Sequence, residues 1–236
     1  MINGDFLINN IQGMQTLHAF LNTYPDIKMP KRKKTLQSID GASSSIVLDE
    51  NSYENRDVNL SMTVQANSEQ ERVMRLSALY AAFDTDSYVD FIYYGEPNMV
   101  YKVTNADVVE QDRVVRNSYY TDVKIKLSAQ AFKYYKPDDL INVSAGSTVT
   151  LNNRFNYSSA PFITVLKAGT VNIGINSKTY TYSFTVLNKW NILCDDTEQW
   201  TDGDYDINQE FPKLKPGINT ITSNFDLQIQ PRWRLI

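Results

Sequence analysis

From Val58 to Ala66 apolar and polar residues alternate without a fault. Val58, Leu60, Met62, Val64 and Ala66 take one side; Asn59, Ser61, Thr63 and Gln65 take the other. Period two over this run predicts a strand with one buried and one wet face. The segment Tyr119 to Phe132 repeats the pattern, with Val123, Ile125, Leu127, Ala129 and Ala131 set against Lys124, Lys126, Ser128 and Gln130. Between the two the period changes. Val73, Leu76, Leu79, Tyr80 and Phe83 recur at spacings of three and four, which makes one helical stripe. Ser68 suits the N-cap, and Glu71, three positions on, completes a capping box. Strands resume at Val89 to Tyr94 and Val100 to Val109, around a turn at Glu96-Pro97-Asn98. Residues 1–30 show little periodicity. Ser45 to Asp49 reads as a short strand and Asp49 to Ser52 as a turn. The first half is therefore expected to be α+β, a sheet carrying one main helix.

Lys133-Tyr134-Tyr135-Lys136-Pro137-Asp138-Asp139 breaks the pattern, and the domain boundary is placed there, giving domains 1–136 and 137–236. Beyond it the chain reads as strand throughout. Val149 and Leu151, the run Phe162 to Leu166, Val171-x-Ile173-x-Ile175, Tyr180 to Val186, Ile192 to Cys194, Ile218 to Ile221 and Phe225 to Ile229 are its apolar segments. Asn176-Ser177-Lys178 reads as a hairpin turn. Short strands with turns every ~8–12 residues predict an all-β sandwich. No repeat of 20–50 residues runs through the chain.

Composition narrows the function. The 236 residues carry a net charge of −4, which argues against a dedicated nucleic-acid binder. The basic run Lys31-Arg32-Lys33-Lys34 reads as an exposed arm or turn. Cys194 is the one cysteine, so an intramolecular disulfide and a multi-cysteine zinc site are excluded. His18 is the one histidine, and it falls in a different domain from Cys194, so no Cys–His pair is suggested. Cys194 follows Ile192-Leu193 and reads as a buried structural thiol. No apolar run is long enough to span a bilayer, and the first residues lack the features of a secretory signal, so folding in a reducing cytoplasm is the expectation.

No catalytic or cofactor constellation emerges. Asp202-Gly203-Asp204-Tyr205-Asp206 begins like a calcium loop, but Ile207 and Lys213 stand where Gly and Glu are needed. Neither phosphate-binding glycine motif is present. Sugar stacking would use exposed aromatics; Trp190, Trp200, Tyr205 and Trp233 are available in the second domain, and core or interface packing is the competing role. Trp200 and Tyr205 are the candidate glycan contacts.

Near the C-terminus the residues become specific. Phe211-Pro212-Lys213-Leu214-Lys215-Pro216-Gly217-Ile218-Asn219-Thr220-Ile221 resembles the F-P-x-L-x-P-G-x-N-x-I segment of distal tail proteins, from long, non-contractile phage tails of Gram-positive hosts. Gln230-Pro231-Arg232-Trp233-Arg234-Leu235 resembles that family's closing strand. Gly174-Ile175-Asn176 and Ile192-Leu193-Cys194-Asp195 fit its preceding hairpin, and Pro30 to Lys33, Ile39-Asp40-Gly41 and Tyr53 to Val58 are similar to its N-terminal pattern. In the block itself Pro216 fixes φ and Gly217 permits a positive φ, so Lys215 to Ile218 suits a type II turn, with Asn219 free to bond its own backbone.

The resemblance implies a non-enzymatic hub without cofactors. It implies a ring, usually a hexamer, formed by the first domain, with an arm embracing the neighbour and a galectin-like β-sandwich projecting outward. The arm is assigned to about 31–53, with Lys31, Arg32, Lys33, Lys34, Ile46, Leu48, Tyr53 and Arg56 as candidate interface residues. The implied partners are the major tail tube protein, the tape measure protein, a tail-associated lysin or fibre protein and, in some phages, receptor-binding proteins. Neither membrane nor sequence-specific nucleic acid is among them. The implied location is the virion tail tip, after synthesis in the host cytoplasm. The second half leaves no room for an inserted carbohydrate module, so host recognition is expected of a partner. The rival readings are a carbohydrate-binding β-sandwich and a glycan-cleaving enzyme.

Overall fold

The computed structural model describes residues 1–41, 43–105, 109–113, 119–136, 139–186, 190–195 and 199–236. The chain divides into two compact units, Met1–Lys133 with Ile236, and Tyr134–Leu235.

The strands of the first unit are β1 (Phe6–Ile8), β2 (Ile11–Gln12), β3 (Ala19–Leu21), β4 (Asp26–Ile27), β5 (Arg32–Gln37), β6 (Ile46–Tyr53), β7 (Arg56–Val64), β8 (Val89–Tyr93), β9 (Met99–Asn105), β10 (Glu110–Arg113) and β11 (Thr121–Tyr135). Among the described residues one helix, α1 (Glu69–Phe83), and a single π turn at Gly13–Leu17 accompany them. The main sheet runs β2-β1-β8-β9-β11-β7-β3, with β4 also on β7 and β10 also on β11. The pairs β5 and β6 stand apart as a two-stranded hairpin.

The alternating segments pair as their chemistry requires. In β7 and β11, antiparallel, Val58 lies opposite Leu127, Leu60 opposite Ile125 and Met62 opposite Val123. All six side chains are buried in one core with Leu76, Leu79 and Phe83 of α1. Antiparallel register keeps like faces together, so one apolar face and one wet face result. The Ser68 hydroxyl accepts the Glu71 N–H at 3.1 Å. The Glu71 carboxylate reaches one residue further back than a capping box requires, to the Asn67 N–H at 2.6 Å. Val73, counted in the apolar stripe, is 54% exposed. The buried face is centred on Leu76, Leu79, Ala82 and Phe83, and at 100° per residue Val73 stands ~110° round from that centre.

Three further expectations shift. The turn read at Asp49–Ser52 is continuous strand, because β6 absorbs a bulge there: Asn51 takes φ 54° and its N–H donates to Asp49 Oδ1 at 3.0 Å. The break read at Lys133 is also strand, since β11 continues to Tyr135; Pro137 and Asp138 lie outside the described residues. The strand expected at Val100–Val109 spans Met99–Asn105, and residues 106–108 lie outside the described residues.

The second unit holds β12 (Ile141–Val143), β13 (Thr148–Asn153), β14 (Phe162–Val165), β15 (Gly169–Ile175), β16 (Lys178–Phe184), β17 (Asn191–Cys194), β18 (Gln199–Thr201), β19 (Gly217–Ser223), β20 (Leu227–Gln230) and β21 (Arg234–Leu235). Among the described residues the first nine of these form two sheets, β12-β20-β14-β17-β18 and β13-β19-β15-β16, while β21 pairs with β11. Ile163, Val165, Ile192 and Ile229 from the first and Val171, Ile173, Tyr182 and Ile221 from the second share one core. That is a β-sandwich. The hairpin turn is Asn176-Ser177, with Asn176 at φ 56°, and Ile175 pairs with Lys178 across it. Among the described residues no helix is long and apolar enough to cross a membrane.

Candidate functional site

The β5–β6 hairpin is held at its root. The Glu54 N–H donates to the Lys31 carbonyl at 2.8 Å, and their side chains form an ion pair at 3.4 Å. Tyr53 meets Phe132 of β11 edge to face at 5.7 Å. Arg32 then organises the bulged stretch. Its Nε donates to Asp49 Oδ1 and Oδ2 at 3.0 and 2.8 Å. Its terminal nitrogens donate to Asp49, to the Tyr53 hydroxyl at 3.0 Å and to Asn51 Oδ1 at 3.2 Å. The bonds from Arg32 hold the Asp49 carboxyl below the usual carboxylate range, with help from the Asn51 N–H. The bonds to Asp49 and then Tyr53 raise the guanidinium in turn.

Beyond the root both faces of the hairpin are apolar and wet. Leu36 pairs with Val47 on one face, and they are 64% and 56% exposed. Ile46 and Leu48 occupy the other face, opposite Gln37 and Thr35, and are also exposed. Ile39, beyond the end of β5, is exposed as well. A lone two-stranded hairpin is marginal in water, and so many bare aliphatic side chains on one mark a contact surface. Lys33 and Lys34 are exposed on the same strand.

Of the candidate arm residues, Lys31, Arg32, Lys33, Lys34, Ile46, Leu48 and Tyr53 are gathered on this hairpin or at its root. Arg56 is not on an exposed face. It is 5% exposed, its Nε donates to the Gln130 carbonyl at 3.3 Å, and its guanidinium lies over the Tyr101 ring at 5.3 Å. It sits opposite Ala129, whose small side chain leaves room for it, and burial lowers its pKa. Leu36 and Val47 were not singled out in the sequence; aliphatic residues among charges in a segment with no buried face were the available signal.

In the second unit Trp200 lies on the edge strand β18 and meets Phe162 edge to face at 6.4 Å. Tyr205 follows the bridge between Asp204 and Ser183 of β16, and its ring packs on Tyr182 and Phe211. Trp200 therefore lies on one sheet, and Tyr205, outside any strand, packs beside the other. Trp200 is 38% exposed and Tyr205 40% exposed. The acidic loop is occupied internally: Asp202 accepts from Asn191 N and Nδ2, both at 3.1 Å, and Asp206 accepts from the Asn208 N–H at 2.9 Å. Cys194 is fully buried, and burial pushes its thiol up. His18 is exposed, with φ 50° at the end of the π turn.

The residues of the C-terminal motif are internal. Phe211, Pro212 and Leu214 are buried, and Leu214 exchanges backbone bonds with Ser159 at 2.9 and 3.0 Å. Gly217 has φ 85°, which the residue after Pro216 needs in a type II turn. Asn219 is fully buried and bonds its predecessors rather than its own backbone: Oδ1 accepts from Lys215 N at 2.9 Å, and Nδ2 donates to the carbonyls of Lys215 and Gly217 at 2.8 and 3.0 Å. The motif is a structural lock.

Residues 14–129 match the family model of the phage tail protein RIFT-related domain. No curated protein matches the chain by sequence. The crystal structure of the Dit protein of phage SPP1, described as a paradigm of the hub adsorption apparatus in phages infecting Gram-positive bacteria, is similar with a TM-score of 0.69 at 14% identity, over 95% of this chain and 96% of that one. A chain of the phage P2 baseplate in its activated conformation with calcium is similar with a TM-score of 0.50 at 9% identity, over 97% and 98%. Residues 14–129 therefore form a phage tail protein RIFT-related domain, and the chain has the fold of a distal tail protein.

Proposed function

We propose that this protein is the structural hub of a long, non-contractile phage tail tip. It assembles as a ring, a hexamer, that joins the tail tube to the receptor-binding apparatus. The first unit closes the ring, and the β5–β6 hairpin is the arm laid on the neighbouring copy. The second unit is a galectin-like sandwich that projects outward. The tube protein, the tape measure protein and a tail-associated lysin or fibre protein are its partners, with receptor-binding proteins docking in some phages. It acts by binding, without catalysis or cofactor.

The observation that carries this reading is the hairpin with Leu36, Val47, Ile46 and Leu48 bare on its two faces. A head-to-tail contact that buries such an arm on the next copy is heterologous and closes into a ring when its rotation divides the circle. The family match and the fold likeness support the same role. The test is electron microscopy of the purified protein mixed with the tube protein of the same phage. Rings capping the tube ends are expected; tubes with bare ends beside dispersed protein would refute the role.

A further inference from the structure

We propose that the first unit carries a saccharide-binding groove on the outer face of its main sheet, around Tyr24, Asp26, Asn59 and Lys126. The groove has a volume of about 410 Å³, within the range that holds small ligands. Its floor is two adjacent strands, where Lys126 lies opposite Asn59 and Lys124 opposite Ser61. Asp26 of β4 borders it on one side and Glu110 of β10 on the other. Four neighbouring strands at ~4.8 Å spacing make a trough ~14 Å wide, enough for a sugar ring.

Tyr24 supplies a platform. It is 65% exposed, yet its ring is fixed: it stacks on Tyr94 at 5.0 Å and meets Tyr93 edge-on at 6.4 Å. Gly95 permits this, since a Cβ there would come within 2.6 Å of the Tyr24 ring. An exposed aromatic held in one position is preorganised for a ligand and loses little freedom on binding.

The polar groups select the ligand class. Asn59 Nδ2 donates to Asp26 Oδ2 at 3.1 Å, and among the described residues Asp26 Oδ1 has no hydrogen-bond donor. Lys124 and Lys126 stand 3.9 Å from Glu110 and Asp57, the first pair about three-quarters exposed and the second nearly half exposed, so these pairs hold them weakly. A bare anion would face Asp26 and Glu110; a bare cation would face two lysines. Leu60 and Ile125 turn their side chains into the core, so the floor offers no aliphatic seat for an apolar peptide. Both edges of β7 and of β11 are already paired at this level, which leaves no ladder for an added strand. Donors and acceptors of both kinds beside one aromatic face fit a neutral, hydroxyl-rich ring.

The test is saturation-transfer NMR and calorimetry of the full chain with neutral trisaccharides of N-acetylglucosamine, glucose and rhamnose as probes. Binding of at least one is expected, weakened about tenfold or more by Tyr24→Ala and by Asp26→Asn, and unchanged by Trp200→Ala. Thermal melts of the variants check folding; Asp26→Asn keeps the shape of the site. No binding of any probe up to about 10 mM would overturn the proposal, as would binding that Tyr24→Ala leaves intact. A Tyr24→Ala effect on assembled mass without an effect on sugar binding would also overturn it and make the groove a subunit contact.

Discussion

The Asn176 side-chain amide donates to the Asn219 carboxamide oxygen at 3.1 Å, joining two turns 43 residues apart. The link is doubled by backbone: the Asn176 N–H donates to the Thr220 carbonyl at 2.8 Å, and Asn176 Oδ1 accepts the Thr220 N–H at 3.0 Å. Asn219 meanwhile closes its own turn onto Lys215 and Gly217. The β15–β16 hairpin and the entry to β19 are thus held by one polar cluster with Asn219 at its centre.

Asn219→Ala empties a fully buried position and removes four hydrogen bonds from a turn whose residues Lys215 to Ile218 are themselves exposed. Water can reach the freed backbone groups, so the net value of about 0.5–1.5 kcal/mol per bond applies, and a loss of about 2 kcal/mol is expected by chemical denaturation followed through tryptophan fluorescence. Asn219→Asp, almost the same shape, points an oxygen at the Lys215 and Gly217 carbonyls, and is expected to be at least as harmful at neutral pH.

Cys194 is expected to resist thiol reagents in the native protein at pH 8 and to react fully once unfolded. It has no exposed surface, and burial raises its pKa, so the reactive thiolate is scarce. Timed colorimetric thiol titration with and without denaturant reads this directly.

The hairpin is expected to loosen in acid before the rest of its unit. Asp49 has its pKa depressed by the bonds from Arg32, so its contribution is fully present above the unfolded carboxylate value of ~3.9 and is lost as pH falls through the lower folded value. Amide exchange of hairpin residues between neutral and acid pH measures it, and Asp49→Asn is expected to flatten the dependence.

A half-buried polar cluster in the first unit separates two kinds of charge. Lys133 Nζ donates to both Glu96 oxygens at 2.9 and 2.7 Å, and the Tyr101 hydroxyl donates to Glu96 at 2.6 Å. Lys133→Ala is expected to cost about 2 kcal/mol, a buried-pair loss reduced for the partial exposure of Glu96. Among the described residues one terminal nitrogen of Arg56 is buried without a hydrogen-bond partner. Arg56→Met is expected to be neutral or stabilising, because burying that charge already carries a desolvation penalty. Thermal melts of the two variants distinguish the cases.

Strands with one buried face were legible in the sequence: β7 and β11 alternate because one side meets α1 and the other meets water. Strands of two or three residues, such as β2 and β4, are too short to display a period. In the hairpin strand β6 the polar residues Asp49–Ser52 mimic a turn in the sequence; a left-handed Asn51 and an Arg32–Asp49 pair across strands carry the strand through them. Arg56 is a candidate interface residue only through the resemblance; its position in the alternation, two before Val58, sets it on the buried face, where it is 5% exposed. The groove at Tyr24 was invisible, since Tyr24, Asn59, Gly95 and Lys126 meet only through the order of strands in the sheet.

Comparison of the solution mass of the intact chain with that of a variant lacking the β5–β6 hairpin tests the central claim most directly. Light scattering across a dilution series, on both proteins at equal concentration, suffices. The intact chain is expected near six times its 27.0 kDa, and the folded variant at the mass of one chain. A variant that assembles to the same mass as the intact protein would contradict the role given to the hairpin and with it the ring built through that arm.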